Sequence, residues 1–173
     1  MSIMAGIQAI ISDDTMKLGT LLTLFLLLVV TGCSGLSTTR PGPQQAETRA
    51  AIRAAKQVLG TPYVYGGEDP ETGFDCSGLM VYSYAHAGVR LPRTAQLQFK
   101  RLRPIRARYM RPGDLVFFRK TRSRISHVGL YIGDMKFIHA PSRGRTVTIA
   151  RLDDPLWKKR FVRAGRVKKK FYF

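Results

Sequence analysis

The sequence predicts a single α+β domain, with helices first and a run of antiparallel strands after them. Three observations carry that prediction. A length of 173 residues fits one domain of ordinary size plus a leader or tail. Hydrophobic residues make up 45% and charged residues 23%, a globular balance that excludes global disorder. The spacing of apolar residues also changes along the chain, from helical before Arg111-Pro112-Gly113 to alternating after it.

The elements follow in order. Leu18–Val30 is a run of 13 mostly apolar residues. A membrane span needs roughly 20, so the run suits the apolar core of a secretory signal. Residues 1–15 carry Asp13 and Asp14 and no positive charge, whereas Met16-Lys17 makes a proper signal start. Translation is therefore expected to begin at Met16, with residues 1–32 as the signal segment. Residues 33–45 hold two prolines and polar residues, and read as a linker. The expected domain spans residues 46–167.

Within it, Ala51, Ile52, Ala55, Val58 and Leu59 share one side of a helix over Thr48–Leu59, which Gly60 ends. Thr61–Phe74 is rich in Gly and Pro and reads as loop. Ser77–Ala87 and Arg93–Lys100 read as helices. Asp114–Phe118, His127–Ile132, Lys136–Ala140, Thr146–Ile149 and Phe161–Val167 read as strands. Residues 168–173 form a basic tail.

Two cysteines exclude a disulfide-rich scaffold and a four-cysteine zinc site. Cys76 stands at the start of an expected helix, where the helix dipole favours a thiolate and unpaired N–H groups can stabilise an oxyanion. A thiol nucleophile needs a base, and the histidines are His86, His127 and His139. His127 and His139 flank a hairpin turn at Gly133-Asp134. Their relation depends on parity. An odd-length loop turns both to one face, with Val128, Leu130, Ile132 and Ile138 on the other; a two-residue loop at Gly133-Asp134 turns them apart. Gly129 leaves space beside His127. A buried structural cysteine and two unrelated strand histidines are the alternative reading.

Asp75-Cys76-Ser77-Gly78-Leu79, His127-Val128-Gly129-Leu130-Tyr131 and Phe137-Ile138-His139-Ala140 resemble the three signatures of NlpC-type papain-like cysteine peptidases. Supporting likenesses are Gly60-Thr61-Pro62-Tyr63, Leu91-Pro92-Arg93, Arg111-Pro112-Gly113-Asp114 and Pro155-Leu156-Trp157-Lys158-Lys159-Arg160. The resemblance runs from about residue 48 to 167. It implies a papain-like fold, helices packed on a mostly antiparallel sheet. It implies Cys76 as nucleophile, His127 as general base and acid, and His139 as the residue that orients His127. Tyr63 matches the tyrosine of the oxyanion hole, with Tyr65 two residues away as its competitor. Asp75 fits a helix-start role, and His86 matches no signature. The implied substrate is the peptide stem of peptidoglycan, cut at amide bonds of D-amino acids or diaminopimelate, without cofactor or metal.

Val30-Thr31-Gly32-Cys33 resembles a bacterial lipobox, which implies lipidation at Cys33. Ser34 fits sorting to the outer membrane of a Gram-negative cell, so a periplasm-facing lipid-anchored protein is expected. A Cys33–Cys76 disulfide is the competing use of Cys33. A catalytically silent wall-binding lipoprotein and a papain-like amidase or acyltransferase on another substrate are the competing functions.

Charge is unevenly placed. Residues 90–173 hold 24 basic and 4 acidic residues, a balance of +20, while residues 34–89 hold 4 and 5, a balance of −1. An anionic partner is implied. An exported protein rarely meets nucleic acid, so wall peptides or anionic lipid are the expected partners, with no nucleic acid.

Overall fold

The computed structural model describes residues 43–119 and 124–167, side chains from residue 45. The expected signal segment, the Cys33 anchor, most of the linker and the basic tail lie outside the described residues. Among the described residues, no helix is long and apolar enough to cross a membrane.

Helix α1 spans Pro43–Gln57, so the last residues assigned to the linker are helical. Proline suits the first helical position because its missing N–H would have no partner there. Ala51, Ala54, Ala55 and Val58 are buried on one side of this segment. Leu59, expected on that side, is 40% exposed because the helix stops at Gln57 and the chain turns away through Gly60.

The loop expected over Thr61–Phe74 contains a small antiparallel ladder, β1 (Glu68–Asp69) with β2 (Gly73–Phe74). It delivers the chain to helix α2, Cys76–Ala85. Asp75 caps this helix and accepts from the Gly78 N–H at 2.6 Å. Gly78 has no room for a side chain, since a Cβ there would stand 2.1 Å from the Gly67 carbonyl oxygen. Helix α3, Ala95–Arg101, is capped by Thr94.

The rest of the domain is one six-stranded sheet. Its strands are β3 (Arg103–Ile105), β4 (Leu115–Phe118), β5 (His127–Gly133), β6 (Lys136–His139), β7 (Thr148–Arg151) and β8 (Phe161–Arg166). They lie in the order β3-β8-β4-β5-β6-β7, every neighbouring pair antiparallel. A 3₁₀ turn, Ala107–Tyr109, follows β3, and the short helix α3's successor, α4 (Pro155–Arg160), runs straight into β8.

Alternation divides the sheet into two faces. Leu115, Phe117, Val128, Leu130 and Ile138 face Ala51, Ala55, Leu79, Met80 and Tyr84 of the helices. Val116, Phe118, Tyr131, Phe137 and Ala164 make a smaller cluster on the other face, closed by Trp157 of α4 and Phe161. Each fully buried side chain of this kind contributes roughly 1.5–3 kcal/mol through removal from water. The members of the smaller cluster alternate with those of the larger cluster along β4, β5 and β6, so no separate apolar run marks it in the sequence.

The β5–β6 hairpin combines both parities considered from the sequence. Its turn is two residues long, Asp134-Met135, both at positive φ (49° and 58°), and Gly133 pairs with Lys136. The turn sits one residue later than expected. A bulge between Tyr131 and Gly133 then inserts one extra residue, so Tyr131 pairs with Phe137 and Leu130 with Ile138. The extra residue restores the odd count.

Candidate active site

The site is assembled from two stretches of sequence far apart along the chain. The first is the start of α2. Cys76 occupies its first turn, half-buried against the larger core. Asp75, one residue before, holds the approach: it accepts from Gly66 N–H at 3.1 Å, from Ser77 Oγ at 3.0 Å, and from both terminal nitrogens of Arg93 at 3.1 and 2.9 Å. This is the helix-start role its position implied. Arg93 extends the brace to Glu68 at 3.0 Å and to Ser77 Oγ at 3.2 Å. Gln98, fully buried on α3, donates through Nε2 to the carbonyls of Ser77 (3.2 Å) and Pro92 (2.8 Å).

The second piece is the hairpin. Because of the bulge, His127 and His139 share the face opposite to Val128, Leu130 and Ile138. Nε2 of His127 and Nδ1 of His139 are 2.9 Å apart, with the rings nearly perpendicular at 86°. That bond occupies one ring nitrogen of His127 and leaves Nδ1 to exchange a proton elsewhere. His139 is 2% exposed. The space beside Gly129 is taken up by Phe137: a Cβ at Gly129 would meet its ring at 2.5 Å.

The two pieces meet at Val128. Its backbone N–H is near enough to the Cys76 sulfur to favour a thiolate, as are those of Ser77 and of Cys76 itself. The thiol therefore lies near the residue next to His127, packed on the same core cluster as Val128. The three N–H groups favour thiolate, yet burial outweighs them and pushes the Cys76 thiol up to about 11, with the Asp75 charge adding to the rise. The helix-dipole expectation of a thiolate is thus overridden by desolvation. Burial likewise lowers His127 to about 3, helped by His139 and Arg160, and His139 to about 4, helped by Arg145. At neutral pH the site rests with a neutral thiol and two neutral imidazoles.

Of the two tyrosines, Tyr63 is the one near the thiol. It is half-buried and packs on the larger core; burial and the Cys76 and Asp75 charges raise its hydroxyl above the usual value. Tyr65 is 84% exposed. His86 sits at the end of α2 on the surface, bonded to the Tyr82 carbonyl at 3.0 Å and away from the hairpin histidines. Among the described residues, no three His, Cys, Asp or Glu side chains are grouped to hold a metal ion.

Sequence reasoning missed Trp157. Its indole stacks on His127 (5.4 Å between centroids, 27°) and meets His139 edge-on (4.8 Å, 85°). It also contacts Phe118 and Phe137, so it roofs the imidazole pair. The available signal was Asp154-Pro155, a capping residue followed by proline at a helix start, which places Trp157 one turn later. Arg93 was visible only as part of a short likeness, because nothing local in the sequence ties it to Asp75, 18 residues away.

Comparison with known proteins agrees with this arrangement. The NlpC/P60 family model matches residues 60–166. The chain is 41% identical over 127 residues to the murein DD-endopeptidase MepH of Escherichia coli (strain K12), covering 71% of this chain and 47% of that one. It is 40% identical over 119 residues to the bifunctional muramidase/DL-endopeptidase CwlT of Bacillus subtilis (strain 168), covering 68% and 36%. The crystal structure of an NLP/P60-family protein from Staphylococcus aureus, described as similar to lipoprotein, superposes with a TM-score of 0.66 at 32% identity, covering 82% of this chain and 47% of that one. The chain thus spans about half or less of these relatives. A thiol at a helix start beside a paired-histidine hairpin, in a domain matched from end to end of its sheet, places the chain in the NlpC/P60 family.

Proposed function

We propose that this chain is a cysteine endopeptidase that hydrolyses amide bonds in the peptide stems or crosslinks of peptidoglycan. The observation that carries the proposal is the His127–His139 pair at 2.9 Å, on the strand whose next residue, Val128, packs in one cluster with Cys76. Cys76 is the nucleophile. As its sulfur attacks the scissile carbonyl carbon, its proton passes to His127, and the thiol need not be ionised beforehand. His139 fixes the His127 ring through Nε2 and stabilises the imidazolium as it forms. The N–H groups at the start of α2 and the Tyr63 hydroxyl receive the developing oxyanion. Collapse breaks the C–N bond, and the leaving amine takes the proton from His127. Water, losing a proton to His127, then hydrolyses the thioester and frees Cys76.

Positive charge at the rim favours an acidic peptide. Arg143 is near enough to Tyr63, and Arg145 to His139, to influence their ionisation. Free carboxylates of D-glutamate and diaminopimelate stems are matched to such a rim. The N-terminal Val30-Thr31-Gly32-Cys33 supports the further reading that Cys33 is lipidated, and that the domain faces the periplasm from the outer membrane. Palmitate incorporation that persists in Cys33→Ala would overturn that part.

The activity is tested by mass spectrometry of defined muropeptides, crosslinked and uncrosslinked, after incubation with the protein. Loss of crosslinks identifies cleavage between diaminopimelate and D-alanine; shortened stems identify cleavage after D-glutamate. Cys76→Ala is expected to release nothing. Equal release by Cys76→Ala and the natural chain would sink the proposal.

A further inference from the structure

Away from the thiol, a strongly cationic concavity lies between edge strand β3, the 3₁₀ turn and the end of β8. It is a cavity of about 430 Å³ lined by Arg103, Arg108, Arg111 and Arg166, with Tyr109 and Met110 at its lip. Arg166 is fixed in the wall. Its Nε and Nη2 each meet a carboxylate oxygen of buried Asp114 at 2.7 Å, and Nη2 also donates to the Tyr109 carbonyl at 3.1 Å. Asp114 therefore cancels one of the four charges. The other three stand uncancelled: among the described residues, no carboxylate pairs with the guanidinium of Arg103, Arg108 or Arg111. Arg108 stacks over the Tyr109 ring at 4.8 Å, which aligns its fork, and Tyr109 is 58% exposed.

Three unpaired guanidinium forks around one cavity select an oxyanion with several acceptors, and a phosphate offers more of them than a carboxylate. The volume exceeds that of a phosphate alone and leaves room for a small polar headgroup. An exposed tyrosine and a methionine beside the cationic groups suit the boundary between headgroups and acyl chains, where amphipathic rings collect.

Position gives the cavity its use. Gly113 N–H bonds to the Tyr131 carbonyl at 2.8 Å, so the Arg111 loop joins the sheet at the far end of β5 from His127. Strands rise about 3.3 Å per residue, which separates the two sites by roughly 15–20 Å. At physiological salt that is about two Debye lengths, so a ligand at one end scarcely alters the field at the other.

We propose that this arginine cavity binds the phosphate headgroup of an anionic lipid and seats the domain on a membrane with the thiol end of the sheet pointing away. This second site is independent of the thiol chemistry.

The test is partition of the full chain onto phosphatidylcholine vesicles with and without phosphatidylglycerol. The ratio of the two affinities removes any contribution of the apolar leader. Phosphatidylglycerol is expected to raise affinity at least a hundredfold. The triple variant Arg103→Ala/Arg108→Ala/Arg111→Ala is expected to lose about fivefold per arginine, roughly a hundredfold in all. Arg49→Ala/Arg53→Ala on α1 should change the ratio less than twofold; a comparable loss there would mean diffuse charge and overturn the site. Arg103→Lys/Arg108→Lys/Arg111→Lys keeps the charge and loses the forks. Affinity equal to the natural chain in that variant would also overturn it, and the Lys variant keeps the test open should the Ala variant fail to fold. Glycerol phosphate in solution should bind far more weakly than vesicles. Equal affinity would make a soluble phosphate ester the ligand and refute the membrane role.

Discussion

At the scale of single residues, the site depends on water being kept from two imidazoles. Trp157 does much of this, lying flat on His127 and edge-on to His139. Trp157→Ala is expected to lower kcat by roughly tenfold through loosened ring placement. It should also move the acid limb of the kcat/KM profile upward, toward the ordinary histidine value near 6.5. In the natural chain that limb should fall well below pH 6, because the base must be neutral and burial keeps it so. Trp157→Phe should retain most of the rate. A limb unmoved in Trp157→Ala would show that the indole does not set the environment of the pair. Cys76, Tyr63, His127 and His139 are legible in the sequence as candidate site residues by type and order. Trp157 and Arg93 are not, since their roles arise from contacts across the fold and no local pattern announces them.

At the scale of elements, α2 and the β5–β6 hairpin carry the geometry. Asp75 caps α2 and is clamped by Arg93, so removing its side chain loses a cap and takes from a half-buried guanidinium its more buried carboxylate partner. Asp75→Ala is expected to cost about 2 kcal/mol in denaturant unfolding and to lower activity as well, whereas Glu68→Ala, at the exposed end of the same brace, should cost under about 1 kcal/mol. The hairpin turn holds Met135 at φ 58°, a conformation that disfavours a side chain bearing a Cβ. Met135→Gly should therefore raise stability by about 1 kcal/mol, read as a higher denaturant midpoint with an unchanged slope. The strands were legible because alternation marks them clearly. The turn falls one residue later than the sequence implies, because Gly133-Asp134 is the commoner signal while the chain turns at Asp134-Met135. Strand β3 and the β1–β2 ladder are not legible in the sequence, because two or three residues are too few to show a period.

At the scale of the whole molecule, the half-buried His127 and the buried His139 tie stability to pH. His127 and His139 take up protons more readily unfolded, near pH 6.5, than folded, near 3 and 4. Between those values the unfolded chain binds more protons, so stability falls as pH is lowered through that window. The Cys76 thiol acts at the other end: it ionises more readily unfolded than at its folded value of about 11, so stability also falls as pH rises through the range below 11. Thermal unfolding should thus show a plateau between about pH 7 and 8, with losses on both sides. His127→Asn/His139→Asn should flatten the acid side even if its plateau is lower. The α+β class and helices-then-strands order were legible because one apolar period gives way to another. The second cluster beneath Trp157 was not, since its members are scattered over β4, β5, β6, α4 and β8.

The extra residue in β5 also decides which deletions the chain can survive. Tyr131 pairs with Phe137, and Gly133 with Lys136, so removing Ile132 leaves an unbroken ladder with the same two-residue turn. His127 and His139 would keep their common face, and the loss would be confined to the packing of one partly buried isoleucine. Removing Leu130 instead shifts everything before it by one place and turns His127 toward the helices. A library of single-residue deletions across residues 128–138 should therefore recover active clones at Ile132 and lose them at Leu130. Hairpin length in this protein can drift by one residue at the bulge, and elsewhere along the paired strands only by two.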